Sequence, residues 1–556
     1  MEKIWLNSYP QGIPAEIDPD ASPSIVGMLE QSCQEFHDRP AFYNLGVTIT
    51  YGQLDKYTRD FAAYLQQNLR LQKGDRIAIM MPNLLQYPIV MFGALRAGLI
   101  VVNVNPLYTA EELAFQLKDS GADTIVVLAN FAHTVEKSLQ ITAVKNVIVC
   151  NIGDFSSLPK ALLIHFVLKY IQKKIPDWHI PHYTSFKQTL KKGAKLSFQP
   201  VAVSLLDIAF LQYTGGTTGL SKGAILTHRN LMANIAQAKL WIGGQLKMGQ
   251  EVIITALPLY HVFSLLVNCL LFVKLGGLDV LITNPRDIPN MVKEMGKFKF
   301  STITGVNTLF LGLLKHSQFA KLDFSALRLA LGGGMAVQRA VAEKWQQVTG
   351  VTLLESYGLT EASPGVSVNP VNLTAYNGSI GLPFPSTDVC ILDEKGQELP
   401  PNQAGELAIK GPQVMQGYWN QPKETQKVFT KDGWLLTGDI ASIDDKGFLY
   451  IHDRKKDMII VSGFNVYPNE VEDILARMPG VREAAVVGIP DEHSGETVKA
   501  YIVRDNPHLT AQEVMQHCRK HLTSYKVPKK VEFRHDLPKS NVGKILRRAL
   551  REKASP

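Results

Sequence analysis

A chain of 556 residues is too long for one hydrophobic core and is expected to divide into two or more domains. Its 46% apolar and 19% charged residues are the balance of an ordinary soluble globular enzyme. The five cysteines (Cys33, Cys150, Cys269, Cys390, Cys518) lie far apart with no CxxC spacing, so neither a zinc centre nor a disulfide framework is suggested, while the net charge of +8, unevenly placed, points to an anionic partner.

The N-terminal Met1-Glu-Lys-Ile-Trp-Leu lacks the apolar core of a signal peptide, so a reducing cytoplasm is the expected location. Apolar, β-branched runs then alternate with helical patterns. They include Leu99–Val104, Thr124–Leu128, Asn146–Cys150, Ile208–Gln212, Val252–Ala256, Val280–Thr283, Ser301–Thr304 and Leu327–Leu331. Continuous apolar strands between helices predict parallel sheets covered on both faces.

Positive charge concentrates in two stretches. Residues 157–195 hold eight lysines and one acid, and residues 518–556 hold twelve Lys/Arg and three acids. No recognition motif accompanies the charge, so nucleic acid is not the expected partner. Within the first stretch, Leu162, Leu163, Phe166, Val167, Tyr170 and Ile171 share one helical face near Lys169, Lys173 and Lys174. Two readings of Lys160–Ile175 stay open: an amphipathic helix at an anionic membrane surface, or a helix docked on the protein's own core.

After the run Asp207–Gln212 comes Tyr213-Thr-Gly-Gly-Thr-Thr-Gly-Leu-Ser-Lys-Gly223, with four glycines, three threonines, a serine and a lysine in eleven residues. Glycines let backbone N–H groups approach an anion, threonine hydroxyls donate to phosphate oxygens or bind a metal, and the lysine adds charge. The tract reads as a polyphosphate-gripping loop, a mobile surface loop being the bland alternative. It is not a Walker A loop, because Ser221 rather than glycine precedes Lys222 and Gly223 follows.

Val252–Val273 runs 22 residues without a charge, long enough to cross a bilayer. Pro258, His261 and Asn268 interrupt it, so a buried strand, loop and helix is the expected structure. Leu331-Gly-Gly-Gly-Met335 exposes backbone after a strand, as a site for a planar ligand or merely a tight turn. In Glu355-Ser-Tyr-Gly-Leu-Thr-Glu361, Tyr357 offers an aromatic face, Thr360 a hydroxyl and Glu361 a hard oxygen ligand for Mg²⁺.

From about residue 380 short strands (Asp388–Leu392, Glu406–Ile409, Phe448–His452) alternate with Pro, Gly and Asp turns, predicting a small antiparallel β unit. Within it, Asp439 can accept two hydrogen bonds from vicinal hydroxyls or serve only as a turn residue; Arg454 can meet a phosphate or a surface carboxylate. The charged tract Asp453-Arg-Lys-Lys-Asp457 is expected to be exposed and to mark a domain boundary. A compact α+β domain follows, with strands Ala484–Ile489 and Val498–Val503 around a helix at Ala511–His521. Near the end, Lys544 follows Gly543 on a turn before a basic helix, where it can be carried to a reaction centre or be one more cation of a basic tail.

In this order the tracts resemble the adenylate-forming superfamily of acyl-CoA synthetases, luciferases and adenylation domains, over nearly the whole chain. Asp432–Lys456 resembles the signature of the fatty acyl-CoA synthetase branch, and Met81–Pro88 and Val461–Glu470 are similar to bacterial long-chain fatty-acid–CoA ligases. The resemblance implies an α/β fold. A large N-terminal domain (1–455) of parallel α/β sheets would carry a small antiparallel β-barrel (380–455). A small mobile α+β C-terminal domain (456–556) would hinge at Lys456. It also implies a two-step reaction in which a long-chain fatty carboxylate attacks the α-phosphate of Mg·ATP to give acyl-AMP and pyrophosphate, and the thiol of coenzyme A then displaces AMP.

The same resemblance assigns roles. Tyr213, Thr214, Gly215, Gly216, Thr217, Thr218, Gly219, Leu220, Ser221, Lys222, Gly223 and Ala224 would hold the β- and γ-phosphates. Glu361, with Thr217 or Thr218, would hold Mg²⁺. Relatives often carry Ser or Thr where Gly215 stands, which leaves the metal's ligand set open. Gly333, Tyr357, Gly358 and Thr360 would line the adenine and acyl junction, Asp439 and Arg454 the ribose, and His261, Phe263 and Val306 the acyl pocket. Lys544 would approach the carboxylate and α-phosphate in the first step. A swing about Lys456 would then remove it and bring Ser462 and Gly463 to the site. ATP, coenzyme A and a fatty acid are the implied partners; a homodimer and a peripheral contact with the inner face of the cytoplasmic membrane stay open. The alternatives are a medium-chain or aryl acid ligase, or a non-catalytic lipid-binding protein on the same scaffold.

Overall fold

The computed structural model describes residues 2–214, 221–491, 493–540 and 543–551. Two large sheets dominate. In the seven-stranded sheet Tyr183–Ser185, Asn146–Cys150, Thr124–Leu128, Arg76–Met80, Ile100–Asn103 and Ile208–Thr214 run parallel in that spatial order, and Lys222–Thr227 closes the edge antiparallel. The nine-stranded sheet has a parallel centre of Leu353–Gly358, Leu329–Gly332, Thr302–Gly305, Val252–Thr255, Leu278–Leu281 and Pro40–Asn44. All five residues of Thr124–Leu128 are buried, as an apolar run covered on both faces requires.

Local chemistry sets where the covering helices begin. Thr109 caps Ala110–Ser120 through a reciprocal bond pair with Glu112, and Gly121 ends that helix in the left-handed region. Thr227 and Asn230 form the same kind of box at the head of His228–Ile242, directly after the hairpin of Ile208–Thr214 and Lys222–Thr227. The long uncharged run resolves as a strand (Val252–Thr255), a loop and helical turns from Val262 to Leu275, with the His261 side chain accepting the Phe263 N–H at the head. Among the described residues no helix is long and apolar enough to cross a membrane.

The small β unit is a meander of Asp388–Leu392, Gly405–Lys410, Leu435–Ile443 and Leu449–Arg454. No ladder joins its first strand to its last, so the expected barrel is open. Residues from Ile459 to Leu550 have apolar clusters of their own on the two faces of a five-stranded sheet. The helix Ala511–His521 stands where the sequence predicts it.

Two expectations need correction. The tract at 453–457 is not uniformly exposed, because Asp453 is 1% exposed and its carboxylate is paired with Arg547, 2.8 Å away. Of the two readings left open for the helix Leu158–Phe166 and its continuation Val167–Ile171, docking on the core holds for Leu168, which packs against a buried cluster, but not for the apolar face the sequence singles out. Leu162, Leu163, Phe166, Tyr170 and Ile171 are all more than half exposed.

Candidate active site

Parallel α/β sheets present ligands at the carboxyl ends of their strands, where loops leave the sheet and backbone groups are unpaired. Here the carboxyl ends of Ile208–Thr214, Thr302–Gly305, Leu329–Gly332 and Leu353–Gly358 open on one cleft of about 1610 Å³. The small meander and the C-terminal residues complete its walls.

The phosphate-loop candidate enters and leaves on a hairpin whose register pairs Thr214 with Lys222. The Ser221 hydroxyl donates to the Thr214 carbonyl (2.5 Å), and the Gly223 carbonyl accepts the Trp419 N–H (2.8 Å). Tyr213 is fixed by donating to Asp119 Oδ2 (2.5 Å). Lys222 forms an ion pair with Glu424 and stands over the Tyr418 ring, 5.1 Å from its centre. Ala224 is buried and bridges to Tyr418. Gly215, Gly216, Thr217, Thr218, Gly219 and Leu220 lie outside the described residues.

Across the cleft, Glu361 Oε1 accepts the Tyr418 hydroxyl (2.7 Å). Thr360 lies in the same short turn, and both line the cleft. Gly358 permits a close approach: a Cβ there would meet the Pro364 carbonyl at 2.2 Å. Gly333 likewise has no room for a side chain, since its Cβ would stand 2.7 Å from Ser356 Oγ and 3.1 Å from Phe263 Cε1.

Asp439 is the electrostatic centre. The antiparallel register places it opposite Arg454, which it meets at 3.2 Å, and it accepts the Tyr357 hydroxyl at 2.6 Å. Burial, then the Asp439 carboxylate, pushes the Tyr357 phenol well above its ordinary value, so it stays a neutral donor. The same carboxylate raises Arg454.

Lys544 reaches this centre from the far end of the chain. Ser540 ties its turn, donating its N–H to the Lys544 carbonyl (2.7 Å) and accepting the Lys544 N–H on its hydroxyl (3.1 Å). A Cβ built on Gly334 would lie 3.4 Å from Lys544 Cε and 3.9 Å from Nζ. Burial, then Arg454, lowers the ammonium to about 8, with Asp439 opposing. His261 is lowered to about 3 by burial and by Lys544, so its imidazole is neutral at physiological pH. Lys456, also at the cleft, falls to about 8 through burial and Arg454. Three cations around one buried carboxylate make a cleft suited to a strongly anionic ligand.

His261, Phe263, Leu266, Leu271, Trp241 and Phe384 give the cleft lining an apolar arm, with Phe263 against Gly333 and the Trp241 and Phe384 rings 5.7 Å apart. Val306 is not on its wall. Its methyls stand 3.8 Å from a Gly334 Cβ and 3.4 Å from a Gly543 Cβ, beneath the Lys544 turn, because it precedes the helix Asn307–Lys315 at the end of its strand. Ser462 and Gly463 are not brought to the cleft. They form an exposed turn, held by the Ser462 N–H on the Ser494 carbonyl (2.8 Å). Tyr418, Asp119 and Glu424, which fix Glu361, Tyr213 and Lys222, were invisible to motif reading. The only local trace is an aromatic pair, Tyr418-Trp419, after a glycine.

A family model described as AMP-binding enzyme matches residues 29–419, and one described as AMP-binding enzyme C-terminal domain matches residues 470–544. A long-chain-fatty-acid–CoA ligase of Yersinia pestis is 57% identical over 552 residues, 99% of this chain and 98% of that protein. One from Escherichia coli O6:H1 is 56% identical over 554 residues, 100% of this chain and 99% of that protein. In three dimensions the chain is similar to ATP-bound MatB from Rhodopseudomonas palustris, with a TM-score of 0.80, 27% identity, and coverage of 95% of this chain and 98% of that one.

Proposed function

The chain belongs to the AMP-binding enzyme family, and from that premise we propose that it is a long-chain fatty-acid–CoA ligase working through an acyl-AMP intermediate. The observation that carries the reading is the Lys544 side chain beside Gly334 in one cleft that is also lined by the ends of the phosphate-loop hairpin and by the apolar arm.

In the first step a carboxylate oxygen forms a bond to the α-phosphorus of ATP, and the α–β bridging bond breaks to release pyrophosphate. Charge develops on phosphoryl oxygens throughout, so the protein must position two anions and neutralise them rather than supply a nucleophile. The hairpin at Tyr213–Ala224 and Lys222 hold the β- and γ-phosphates. Tyr357 lies against the purine, and Asp439, carried by Arg454, accepts the ribose hydroxyls. Lys544 bridges the carboxylate and the α-phosphate, and the neutral His261 orients the carboxylate at the mouth of the apolar arm. In the second step the coenzyme A thiolate attacks the acyl carbonyl and AMP leaves with the bonding pair. For this Lys544 withdraws by rotation about Lys456, and the turn at Ser462-Gly463 comes in. Hinge closure of this kind is a common way to present two surfaces to one site.

Glu361 fits Mg²⁺. Its carboxylate is a hard oxygen donor whose Oε1 accepts the Tyr418 hydroxyl, and Mg²⁺ takes one or two carboxylates and completes its shell with phosphates and water. Bound there, the ion supplies charge neutralisation at the phosphates. The apolar arm selects the acyl chain by burial, at about 0.8 kcal/mol per methylene.

Pyrophosphate release with octanoate, palmitate and a cinnamate, with and without coenzyme A, tests the assignment. Palmitate is expected to be turned over best and to need coenzyme A for multiple turnovers. Preference for the cinnamate or octanoate would move the enzyme to an aryl or medium-chain ligase, and no release with any acid would leave a lipid-binding protein.

A long-chain substrate partitions into bilayers, and the exposed face of Leu158–Ile171 suits collecting it there. Apolar residues more than half exposed stand beside Lys169, Lys173 and Lys174, the pattern of a helix lying at an anionic interface. Such contact is peripheral, on the cytoplasmic side. Replacing these three lysines with glutamine is expected to weaken the affinity for phosphatidylglycerol vesicles, read by pelleting at low salt, roughly 10²-fold, each cation near the surface being worth about 1 kcal/mol. Unchanged pelleting would remove the membrane contact.

A further inference from the structure

Asp453 is the penultimate residue of the last strand of the small meander, three residues before the proposed hinge at Lys456. Arg547 follows Lys544 by three residues at the head of the final helix. Their side chains meet at 2.8 Å with Asp453 1% exposed. Asp453 is fully engaged: Oδ1 also accepts its neighbour Arg454's N–H (2.7 Å), and Oδ2 accepts the Asn469 N–H (2.8 Å). The other partners of Arg547 are Glu472 (2.8 and 3.0 Å), the Asn469 side-chain oxygen (2.5 Å) and Asp457 (3.5 Å).

The order of these residues along the chain matters. Glu472, Asn469 and Asp457 all follow Lys456 and belong to the same part of the chain as Arg547. Rotation about Lys456 carries them together and leaves their bonds intact. Asp453 precedes Lys456 and is held in the meander. Of the groups around Arg547 it is the one that such a rotation must leave behind.

We propose that Asp453 is a positioning residue: by gripping Arg547 and the Asn469 N–H across the hinge, it latches the C-terminal part in the orientation that keeps Lys544 in the cleft. The proposal deepens the ligase reading and rests on it. A carboxylate anchored on a sheet and a guanidinium held by three other residues form a rigid joint, since both ends are already fixed before they meet. The bond is made in the first half-reaction and broken for the second, so its strength sets how the enzyme divides its time between the two.

The test compares half-reactions of the full chain. Acyl-AMP formation is followed as a single turnover from palmitate and ATP without coenzyme A. Thioester formation is followed from supplied palmitoyl-AMP and coenzyme A. Asp453→Asn is expected to slow the first roughly tenfold, the effect of losing one charge-assisted bond, with the KM for ATP little changed. The second is expected to hold its rate or rise. A purely structural role for Asp453 would lower both alike, and that outcome, or no change in either, overturns the latch. Should Asp453→Asn not fold, Asp453→Glu keeps the charge but displaces it by one methylene and is read the same way. Lys544→Ala run in parallel separates the premises. If it divides the half-reactions and the Asp453 variants do not, the latch alone fails; if it does not divide them, the swing itself fails.

Discussion

Lys544→Ala is expected to lower acyl-AMP formation roughly 10²–10³-fold while leaving the conversion of supplied acyl-AMP to acyl-CoA within about twofold, because one preorganised charged donor at a developing anion is worth that much. The geometry makes the loss specific. Lys544 reaches the cleft through a turn fastened at Ser540, and the end of its side chain lies within contact distance of Gly334. Lys456 and Arg454 are also nearby, but Arg454 is committed to Asp439 and Lys456 is the proposed hinge, so neither is expected to replace a missing amine at the Gly334 side. Alanine removes a partly desolvated charge without creating an unpaired one, so the fold should persist, and an unchanged thermal midpoint would confirm it. Single-turnover measurements of both half-reactions check the result. An equal loss in both would mean that Lys544 supports the cleft in general and does not act at the α-phosphate.

Much of this arrangement was legible in the sequence, for physical reasons that also explain what was not. A parallel strand buried on both faces must be apolar throughout, and so Thr124–Leu128 and Asn146–Cys150 were readable to the residue. The hairpin Pro40–Asn44 and Val47–Thr50 was not, because a proline heads the first strand and the second, at the sheet edge, is only partly buried, so neither shows a continuous apolar run. In the cleft, the residues proposed to meet ligand announce themselves in compact motifs: Tyr357 and Glu361 lie four positions apart. The residues that hold them do not. Tyr418 acts on Glu361 from 57 residues away, Asp119 on Tyr213 from 94, and Glu424 on Lys222 from 202. Asp453 shows the same limit. A run of four consecutive charged neighbours reads as solvated until Arg547, 94 residues on, is folded against it. Composition describes what a segment can do alone, whereas burial of a charge depends on a partner that only the tertiary structure delivers.

Asp439→Asn should act on both binding and protonation, and the two effects are separable by pH. The native carboxylate is 5% exposed, accepts the Tyr357 hydroxyl and carries Arg454. An amide keeps the shape but weakens charge-assisted bonds worth about 1.5–3 kcal/mol each, so the KM for ATP is expected to rise roughly 10- to 100-fold. The second effect runs through Lys544. Burial and Arg454 already lower that ammonium to about 8, and Asp439 is the group that opposes them. The protonated amine is the active form in the first half-reaction, so activity is present below its pKa and lost as pH rises through it. The native enzyme should therefore lose acyl-AMP formation above about pH 8. Without the opposing carboxylate the amine loses its proton more readily, so the alkaline limb must move toward lower pH, never higher. Rates of acyl-AMP formation at saturating ATP, from about pH 6 to 9, report the limb independently of the change in KM. A limb that stays in place would show that Lys544 does not sense Asp439, and one that moves upward would show that the amine acts in its neutral form.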